Sequence, residues 1–193
     1  MKTKVRTSGI QYPTIIEPPF DLWSRNVRDE YKSLSNEEIK KQLQTTAFPF
    51  AVLMSQIEGD FNFSCVIRSA NNFNASKVFY YGNRKWDRRG SVGCFNYQDV
   101  IHLSTLGDIR DLKEHYVFVG LENNVRDVKQ LKDYDWKPNS LLVLGEEGYG
   151  IAPEVLELLD HRVEIPSLGS VRSLNVASAA SIAMYDYVSK QRK

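Results

Sequence analysis

The chain has 193 residues, of which 42% are hydrophobic and 25% charged, a composition that is typical of globular proteins and excludes disordered and fibrous classes. The 25 Lys and Arg residues against 24 Asp and Glu residues leave a formal net charge of +1, so no global field attracts nucleic acid or an anionic membrane. No apolar run is long enough to span a bilayer, and the first residues lack the apolar segment of a signal peptide. We therefore expect a cytoplasmic protein with no membrane partner.

Several common chemistries have no support in the sequence. Cys65 and Cys94 are too few for a disulfide framework and lack the spacing of metal ligands. The three histidines are scattered along the chain, so we predict no metal site. The glycine motifs of P-loop and ordinary dinucleotide-binding folds are absent.

The first 48 residues are predicted to form an N-terminal extension that is irregular and then helical. Three prolines within the first 19 residues restrict the backbone and remove amide donors, which favours irregular structure. The run S-N-E-E from Ser35 has the form of a capping box and predicts a helix that begins there. We expect the main domain to cover residues 49–193.

Short apolar runs alternate with helical stretches after residue 50, and this alternation predicts an α/β fold with a mainly parallel sheet flanked by helices. The predicted strands are Phe50–Met54, Val78–Tyr81, Tyr116–Val119, Leu141–Leu144 and Arg162–Ile165. The predicted helices cover 62–74 and 106–114, the residues after Pro153, and an amphipathic stretch over 175–189.

Two glycine-bearing loops each follow a predicted strand. The segment LLVLGEEGYGIAP covers 141–153, and EIPSLGSVRSLNVASAAS covers 164–181. Glycine lets the backbone approach a ligand closely, and ligands bind at the carboxyl ends of parallel strands. Together the loops predict one pocket built largely from backbone. Taken singly, the first also fits a tight turn, and Ser173 in the second fits a simple helix N-cap.

A third segment, GDFNFSCVIRSANNF over 59–73, follows the first predicted strand. It brings Asn62 and Arg68 within two turns of each other near a helix start. The planar guanidinium of Arg68 suits phosphate recognition, although an arginine after two apolar residues could equally extend to the surface.

In order and spacing, the three segments resemble the motifs of the SPOUT superfamily, specifically its SpoU/TrmH branch of RNA 2′-O-ribose methyltransferases. The matching runs are N-F-S-C-V-I-R-S-A, L-G-E-E-G-Y-G-I and I-P-S-L-G-S-V-R-S-L-N-V-A-S-A, and the resemblance covers about 50–190. It implies a sheet of five or six strands, a deep C-terminal trefoil knot, S-adenosylmethionine bound in the knot, and a homodimer whose active site is completed across the interface.

The resemblance also implies roles for individual residues. The positions matched to catalysis are Asn62, Arg68, Glu147, Ser173 and Asn175. The positions matched to cofactor binding are Gly120, Leu121, Leu144, Gly145, Gly148, Ile165, Ser173 and Leu174. For Asn175, a purely structural role as the cap of the last helix stays open. The sequence departs from the family pattern at Asn74, Glu146 and Ser167.

A basic loop after the second predicted strand, YYGNRKWDRRGSVG over 80–93, is the candidate RNA contact. Its basic residues are Arg84, Lys85, Arg88 and Arg89, and Trp86 could stack on a base. A solvated surface loop is the alternative. Transfer RNA is favoured over ribosomal RNA by analogy, because the chain is short and no separate ribosomal-RNA-binding domain is evident.

The leading prediction is therefore an S-adenosylmethionine-dependent RNA 2′-O-ribose methyltransferase, with transfer RNA as the favoured substrate class. One alternative is a catalytically silent SPOUT-like module that binds RNA and assists another protein. Another is an unrelated α/β enzyme that holds a nucleotide at the glycine loops and has no knot. Binding of S-adenosylmethionine separates the first from both alternatives.

Overall fold

A computed structural model describes residues 26–55, 60–82, 86–123, 125–146 and 148–191. None of the helices within these ranges is both long and apolar enough to cross a membrane.

The contact pattern separates the residues up to Ser33 from a larger unit, Leu34–Lys193. The described part of the first unit holds one short 3-10 turn, Asp29–Tyr31. The prolines of the predicted irregular stretch lie outside the described residues. The predicted domain boundary after residue 48 stays a prediction.

The larger unit is built on one seven-stranded sheet. The strands are β1 (Phe48–Ser55), β2 (Ala75–Tyr81), β3 (Val100–Leu103), β4 (Val117–Leu121), β5 (Lys129–Gln130), β6 (Ser140–Leu144) and β7 (His161–Glu164). Their order in the sheet is β3-β2-β1-β6-β4-β7-β5, and every neighbouring pair is parallel. The prediction of a mainly parallel α/β sheet is confirmed. The strand count of five or six is corrected to seven, because two edge strands, β3 with four residues and β5 with two, are too short to stand out in the sequence.

The described residues form five α-helices: α1 (Asn36–Thr46), α2 (Asp60–Asn72), α3 (Leu106–Asp111), α4 (Pro153–Leu156) and α5 (Val176–Gln191). The predicted capping box of α1 is confirmed, because Ser35 Oγ accepts from the Glu38 amide at 3.2 Å and the Glu38 carboxylate accepts from the Ser35 amide at 2.8 Å. Pro153 occupies the first turn of α4 as predicted.

Alternate side chains of β1 pack on opposite faces of the sheet, as the two-residue period of a strand requires. Phe50, Val52 and Met54 join the cluster that contains α2 and α5. Ala51 and Leu53 join the cluster that contains α3 and α4. The result is a three-layer α/β/α unit in which α2 and α5 share one face.

The turn after α2 explains one departure from the family pattern. Asn74 has a φ of 51°, in the left-handed region that glycine adopts freely and that asparagine tolerates better than most residues. Its side-chain amide also donates to Thr46 Oγ1 at 3.1 Å. Asparagine therefore fills this position with little strain and adds a contact between α1 and the turn.

Tyr187 on α5 is the largest fully buried side chain of the core. Its ring lies 4.3 Å from that of Phe50 and 5.6 Å from that of Trp136, centroid to centroid. Its hydroxyl donates to the Pro138 carbonyl at 2.6 Å, and burial raises the pKa of this phenol to about 12. The hydroxyl therefore stays protonated and keeps donating throughout the physiological pH range.

Replacing Tyr187 should cost more stability than most substitutions in the chain. We expect Tyr187→Ala to lower the free energy of unfolding by about 3–5 kcal/mol, the usual cost of deleting a buried aromatic ring. Tyr187→Phe keeps the ring and leaves the Pro138 carbonyl without this donor, so its expected cost is about 1–2 kcal/mol. Denaturant unfolding followed by circular dichroism measures both values. Equal losses in the two variants would contradict a stabilising role for the ring packing.

Candidate active site

A cavity of about 260 Å³ lies at the carboxyl ends of β4, β6 and β7. This edge is where parallel α/β sheets bind their ligands. Seven of the eight residues predicted to bind the cofactor line it: Leu121, Leu144, Gly145, Gly148, Ile165, Ser173 and Leu174. The structure therefore brings the two predicted glycine loops together around one cavity, with the end of β4 as a third wall.

Gly120 is the predicted cofactor residue that does not line this cavity. A Cβ atom on Gly120 would lie 2.4 Å from Leu159 Cδ1 and 3.1 Å from Ile151 Cδ1. The missing side chain thus makes room for the packing of the loop around α4 on the sheet, on the side away from the cavity wall formed by Leu121.

The glycine loop after β6 closes as a tight turn. The Glu146 amide donates to the Gly150 carbonyl, and the Gly150 amide donates to the Glu146 carbonyl, both at 2.9 Å. A Cβ on Gly145 would lie 2.2 Å from the Gly150 carbonyl carbon and 2.3 Å from the Ile151 nitrogen. Only glycine at position 145 lets the two backbone segments pack so closely. Glu147, the predicted catalytic residue in this turn, lies outside the described residues.

Asn175 joins the start of α5 to α2. Its Oδ1 atom accepts from the amides of Ala177 at 3.0 Å and Ser178 at 3.3 Å, which caps the helix. Its Nδ2 atom donates to Asn62 Oδ1 at 3.0 Å. The capping role left open by the sequence is therefore real, and the same side chain also contacts the predicted catalytic Asn62. Asn175 and the exposed Ser173 both line the cavity.

Arg68 lies on the exposed side of α2 and is not among the residues that line the cavity. Its positive charge affects the Cys94 thiol. Burial raises the pKa of the Cys94 thiol above its usual value, and the positive charge of Arg68 offsets part of this effect. The guanidinium is therefore available on the surface of a single chain.

The basic loop after β2 is anchored by its aromatic residue. The Trp86 ring lies 4.9 Å from the Phe63 ring and 6.0 Å from the Phe95 ring, centroid to centroid. The Arg88 guanidinium lies over Phe95 at 4.9 Å. This packing favours Trp86 as the anchor of the loop over its predicted use as a free stacking surface.

A second basic residue of this loop, Arg89, is paired with an acidic neighbour. The Arg89 guanidinium is held by Asp87, with Nε 3.0 and 2.9 Å from the two carboxylate oxygens and Nη2 2.6 Å from one of them. Part of the predicted positive charge is thereby neutralised. Arg84 and Lys85 lie outside the described residues.

The sequence reasoning missed the polar residues that line the cavity directly after β4. Glu122 Oε2 accepts from the Ile151 amide at 3.1 Å, and Asn123 Nδ2 donates to the Arg172 carbonyl at 2.6 Å. Their position at the carboxyl end of a predicted strand was the available signal. Together with Glu146 and Glu164, Glu122 gives the cavity three carboxylate residues. Within the described residues, no group of three or more His, Cys, Asp or Glu is arranged to hold a metal ion.

The fold is an α/β domain whose cavity lies at the carboxyl ends of its parallel strands. The family model described as the SpoU rRNA methylase family matches residues 49–185, so the chain belongs to this family. The predicted SpoU/TrmH resemblance is confirmed.

The relatives differ in how much of each chain aligns. A protein of Staphylococcus epidermidis assigned to the TrmH family of tRNA/rRNA methyltransferases is 27% identical over 167 residues, which are 82% of this chain and 66% of that protein. The SpoU methyltransferase AviRb from Streptomyces viridochromogenes, solved in complex with AdoMet, has a TM-score of 0.67 at 27% identity, covering 73% of this chain and 57% of AviRb. The tRNA (guanosine(18)-2′-O)-methyltransferase of Saccharomyces cerevisiae is 35% identical over 75 residues, 39% of this chain and 5% of that protein. This chain thus spans less than two thirds of the S. epidermidis protein and of AviRb.

Proposed function

We propose that the protein is an S-adenosylmethionine-dependent RNA methyltransferase that modifies a ribose 2′-hydroxyl. The observation that carries the proposal is the cavity at the ends of β4, β6 and β7, lined by seven residues that match the cofactor positions of the motifs. Membership of the SpoU rRNA methylase family supports an RNA substrate. AviRb was solved with AdoMet, which is S-adenosylmethionine, and this supports the choice of cofactor. The yeast relative is named as a 2′-O-methyltransferase, and this supports the ribose 2′-oxygen as the methyl acceptor.

The residues present fit S-adenosylmethionine. The aliphatic side chains of Leu121, Leu144 and Ile165 suit an adenine ring, and the nearby carboxylates suit a ligand that carries a sulfonium and an ammonium charge. The volume of about 260 Å³ lies just below the usual range of roughly 300–1,000 Å³ for small-molecule pockets. When bound, S-adenosylmethionine would supply an activated methyl group on its sulfonium sulfur.

A homodimer through the layer of α2 and α5 completes the proposed active site. Phe61 on α2 is 58% exposed, and Ile182 and Tyr185 on α5 are 43% and 63% exposed. The hydrogen bond between Ser69 and Ser181, 2.7 Å long, joins the two helices into one surface. Exposed apolar side chains grouped on one surface favour association, and a self-complementary patch forms a two-fold dimer.

Arg68 would then act on the cavity of the second subunit. It lies seven residues after Phe61, two helical turns along α2, and so on the same face. The guanidinium stays protonated in proteins, so its proposed role is to hold the phosphate beside the target ribose and to stabilise negative charge that develops on the 2′-oxygen. Asn62 and Asn175, already joined by a hydrogen bond, would orient the adjoining helix starts.

The proposal includes the C-terminal trefoil knot that the family motifs imply, and membership of the SpoU rRNA methylase family supports it. Transfer RNA is the proposed substrate class by analogy with the yeast relative. We propose a cytoplasmic location, in agreement with an RNA substrate.

Transfer of labelled methyl from S-adenosylmethionine to purified RNA tests the proposal. Transfer RNA and ribosomal RNA are taken separately from cells that lack the protein, so that the target site is unmodified. We expect label in transfer RNA at a linkage that resists alkaline cleavage, which marks a modified 2′-oxygen. Label at an alkali-sensitive linkage would contradict the ribose assignment. RNA binding without any binding of S-adenosylmethionine would instead favour a catalytically silent module.

Two inactive variants combined in one dimer test the shared site. Arg68→Ala keeps the cavity, and Gly145→Ala, which forces the close backbone contact in the glycine turn apart, keeps Arg68. Subunits with different affinity tags are co-expressed, and the heterodimer is purified over both tags. If Arg68 acts across the interface, one of the two sites is complete, and about half of the wild-type activity per dimer is expected. An inactive heterodimer would contradict action across the interface, and size-exclusion chromatography with light scattering checks the dimer itself.

A further inference from the structure

The first two residues after β4 each reach a different loop of the cavity. The Glu122 carboxylate accepts from the Ile151 amide at 3.1 Å, at the end of the glycine turn that follows β6. The Asn123 side-chain amide donates to the Arg172 carbonyl at 2.6 Å, in the segment that follows β7. Two adjacent residues on one short connection therefore hold both glycine loops.

The glycine turn is shaped to receive the Glu122 carboxylate. Gly150 has a φ of 75°, and a Cβ at this position would lie 2.2 Å from Glu122 Oε2. The other carboxylate oxygen, Oε1, accepts from the Asn123 amide at 2.9 Å, which fixes the orientation of the group. A hydrogen bond from a backbone amide to an ionised carboxylate is roughly twice as strong as a neutral one, so this contact is a firm support for the turn.

The segment between β7 and α5 has few other supports. Residues 166–175 are all exposed, and a Cβ on Gly169 would meet nothing within 4 Å. The Arg172 carbonyl accepts from Ser167 Oγ at 3.0 Å, which closes the segment on itself, while the contact from Asn123 ties it to the sheet. Ser173 and Leu174, which follow directly, line the cavity. This wall is therefore held at two places, by Asn123 at Arg172 and by the contact of Asn175 with Asn62 at the start of α5.

We propose that Glu122 and Asn123 are positioning residues that preform the cofactor cavity by holding its two glycine loops at a fixed separation. The ligand in this inference, S-adenosylmethionine, rests on the proposed function, whereas the effect on the two loops does not. A cavity whose walls are ordered before binding avoids the entropic cost of ordering them around the ligand. Losing either contact should therefore weaken binding more than it slows the reaction at saturating cofactor.

The variants are Glu122→Ala, Glu122→Gln and Asn123→Ala, with Asn139→Ala as a matched control. The Asn139 side-chain amide also donates to a backbone carbonyl, that of His115, at 2.9 Å, but it does so at the amino ends of β4 and β6, away from the cavity. Glu122→Gln keeps one acceptor oxygen and loses the charge. This variant therefore distinguishes the effect of the hydrogen bond from the effect of the negative charge.

Hydrogen exchange of the ligand-free protein is the first readout. We expect Glu122→Ala to speed exchange of the Ile151 amide about tenfold, and Asn123→Ala to do the same within 166–175. The control should leave both regions unchanged, and all variants should keep the wild-type unfolding temperature within about 2 °C. Unchanged exchange in both regions would overturn the inference, whether or not the protein binds S-adenosylmethionine.

Calorimetry and steady-state kinetics give the second readout. We expect the Kd for S-adenosylmethionine to rise about tenfold in Glu122→Ala and in Asn123→Ala, with kcat at saturating cofactor within about threefold of wild type and partial rescue in Glu122→Gln. An equal rise in Asn139→Ala, or a Kd unchanged in both cavity variants, would overturn the positioning role. If the wild type itself fails to bind, the proposed function is wrong, and the exchange result alone decides the inference.

Discussion

Replacing Arg68 by alanine should lower the rate of methyl transfer at least about 100-fold, the usual cost of losing one group that stabilises charge in a transition state. The affinity for S-adenosylmethionine should stay within about threefold of wild type, since Arg68 does not line the cavity of its own chain. Single-turnover methyl transfer to RNA gives the rate, and calorimetry gives the affinity. The expected signature is thus a loss in the chemical step with intact cofactor binding.

Two further variants test whether the effect is specific to the guanidinium of Arg68. Arg68→Lys keeps a positive charge but loses the planar, two-pronged donor geometry, so we expect only partial recovery of the rate. Arg110→Ala removes another exposed arginine, on α3 at the opposite face of the sheet, and should leave the rate unchanged. A near-wild-type rate in Arg68→Ala, or a parallel loss of cofactor affinity, would rule out the proposed role.

The fold could be predicted to the extent that apolar runs mark buried strands. Leu141–Leu144 is a continuous apolar run and forms most of the fully buried β6 at the centre of the sheet. The strand β3 contains His102, and β5 has two residues, both exposed. Both lie toward the edges of the sheet, where burial no longer demands an apolar run.

The site could be predicted where backbone loops form the wall of the cavity. The glycine loops were recognisable because their order and spacing match family motifs, and the end of β4 followed from its position after a predicted strand; the structure brings all three to one cavity. The contacts of Glu122 and Asn123 could not be predicted, because they join residues 29 and 49 positions apart in the chain. The packing of Trp86 on Phe63 could not be predicted either, because these two residues are also distant in the chain.

Gly145 and Gly148 look alike in the sequence, since both belong to the same glycine loop and match cofactor positions, but the structure separates them. A Cβ on Gly145 would lie 2.2 Å from the Gly150 carbonyl carbon, so an alanine must push two backbone segments apart. A Cβ on Gly148 would find its nearest neighbour, Glu146 Oε1, at an ordinary contact distance of 3.6 Å. Only the first substitution therefore deforms the wall of the cavity.

We expect Gly145→Ala to weaken S-adenosylmethionine binding about 100-fold, a loss of about 2.7 kcal/mol, because the alanine must push apart two backbone segments at the cavity wall. Gly148→Ala should bind within about threefold of wild type, since a methyl group there meets open space and ordinary contacts. Calorimetry measures both affinities, and far-UV circular dichroism checks that the sheet survives in each variant. Equal losses of S-adenosylmethionine affinity in the two variants would contradict this prediction. They would mean that any side chain added to the loop impairs binding, and that the close contact at Gly145 does not set the shape of the cavity.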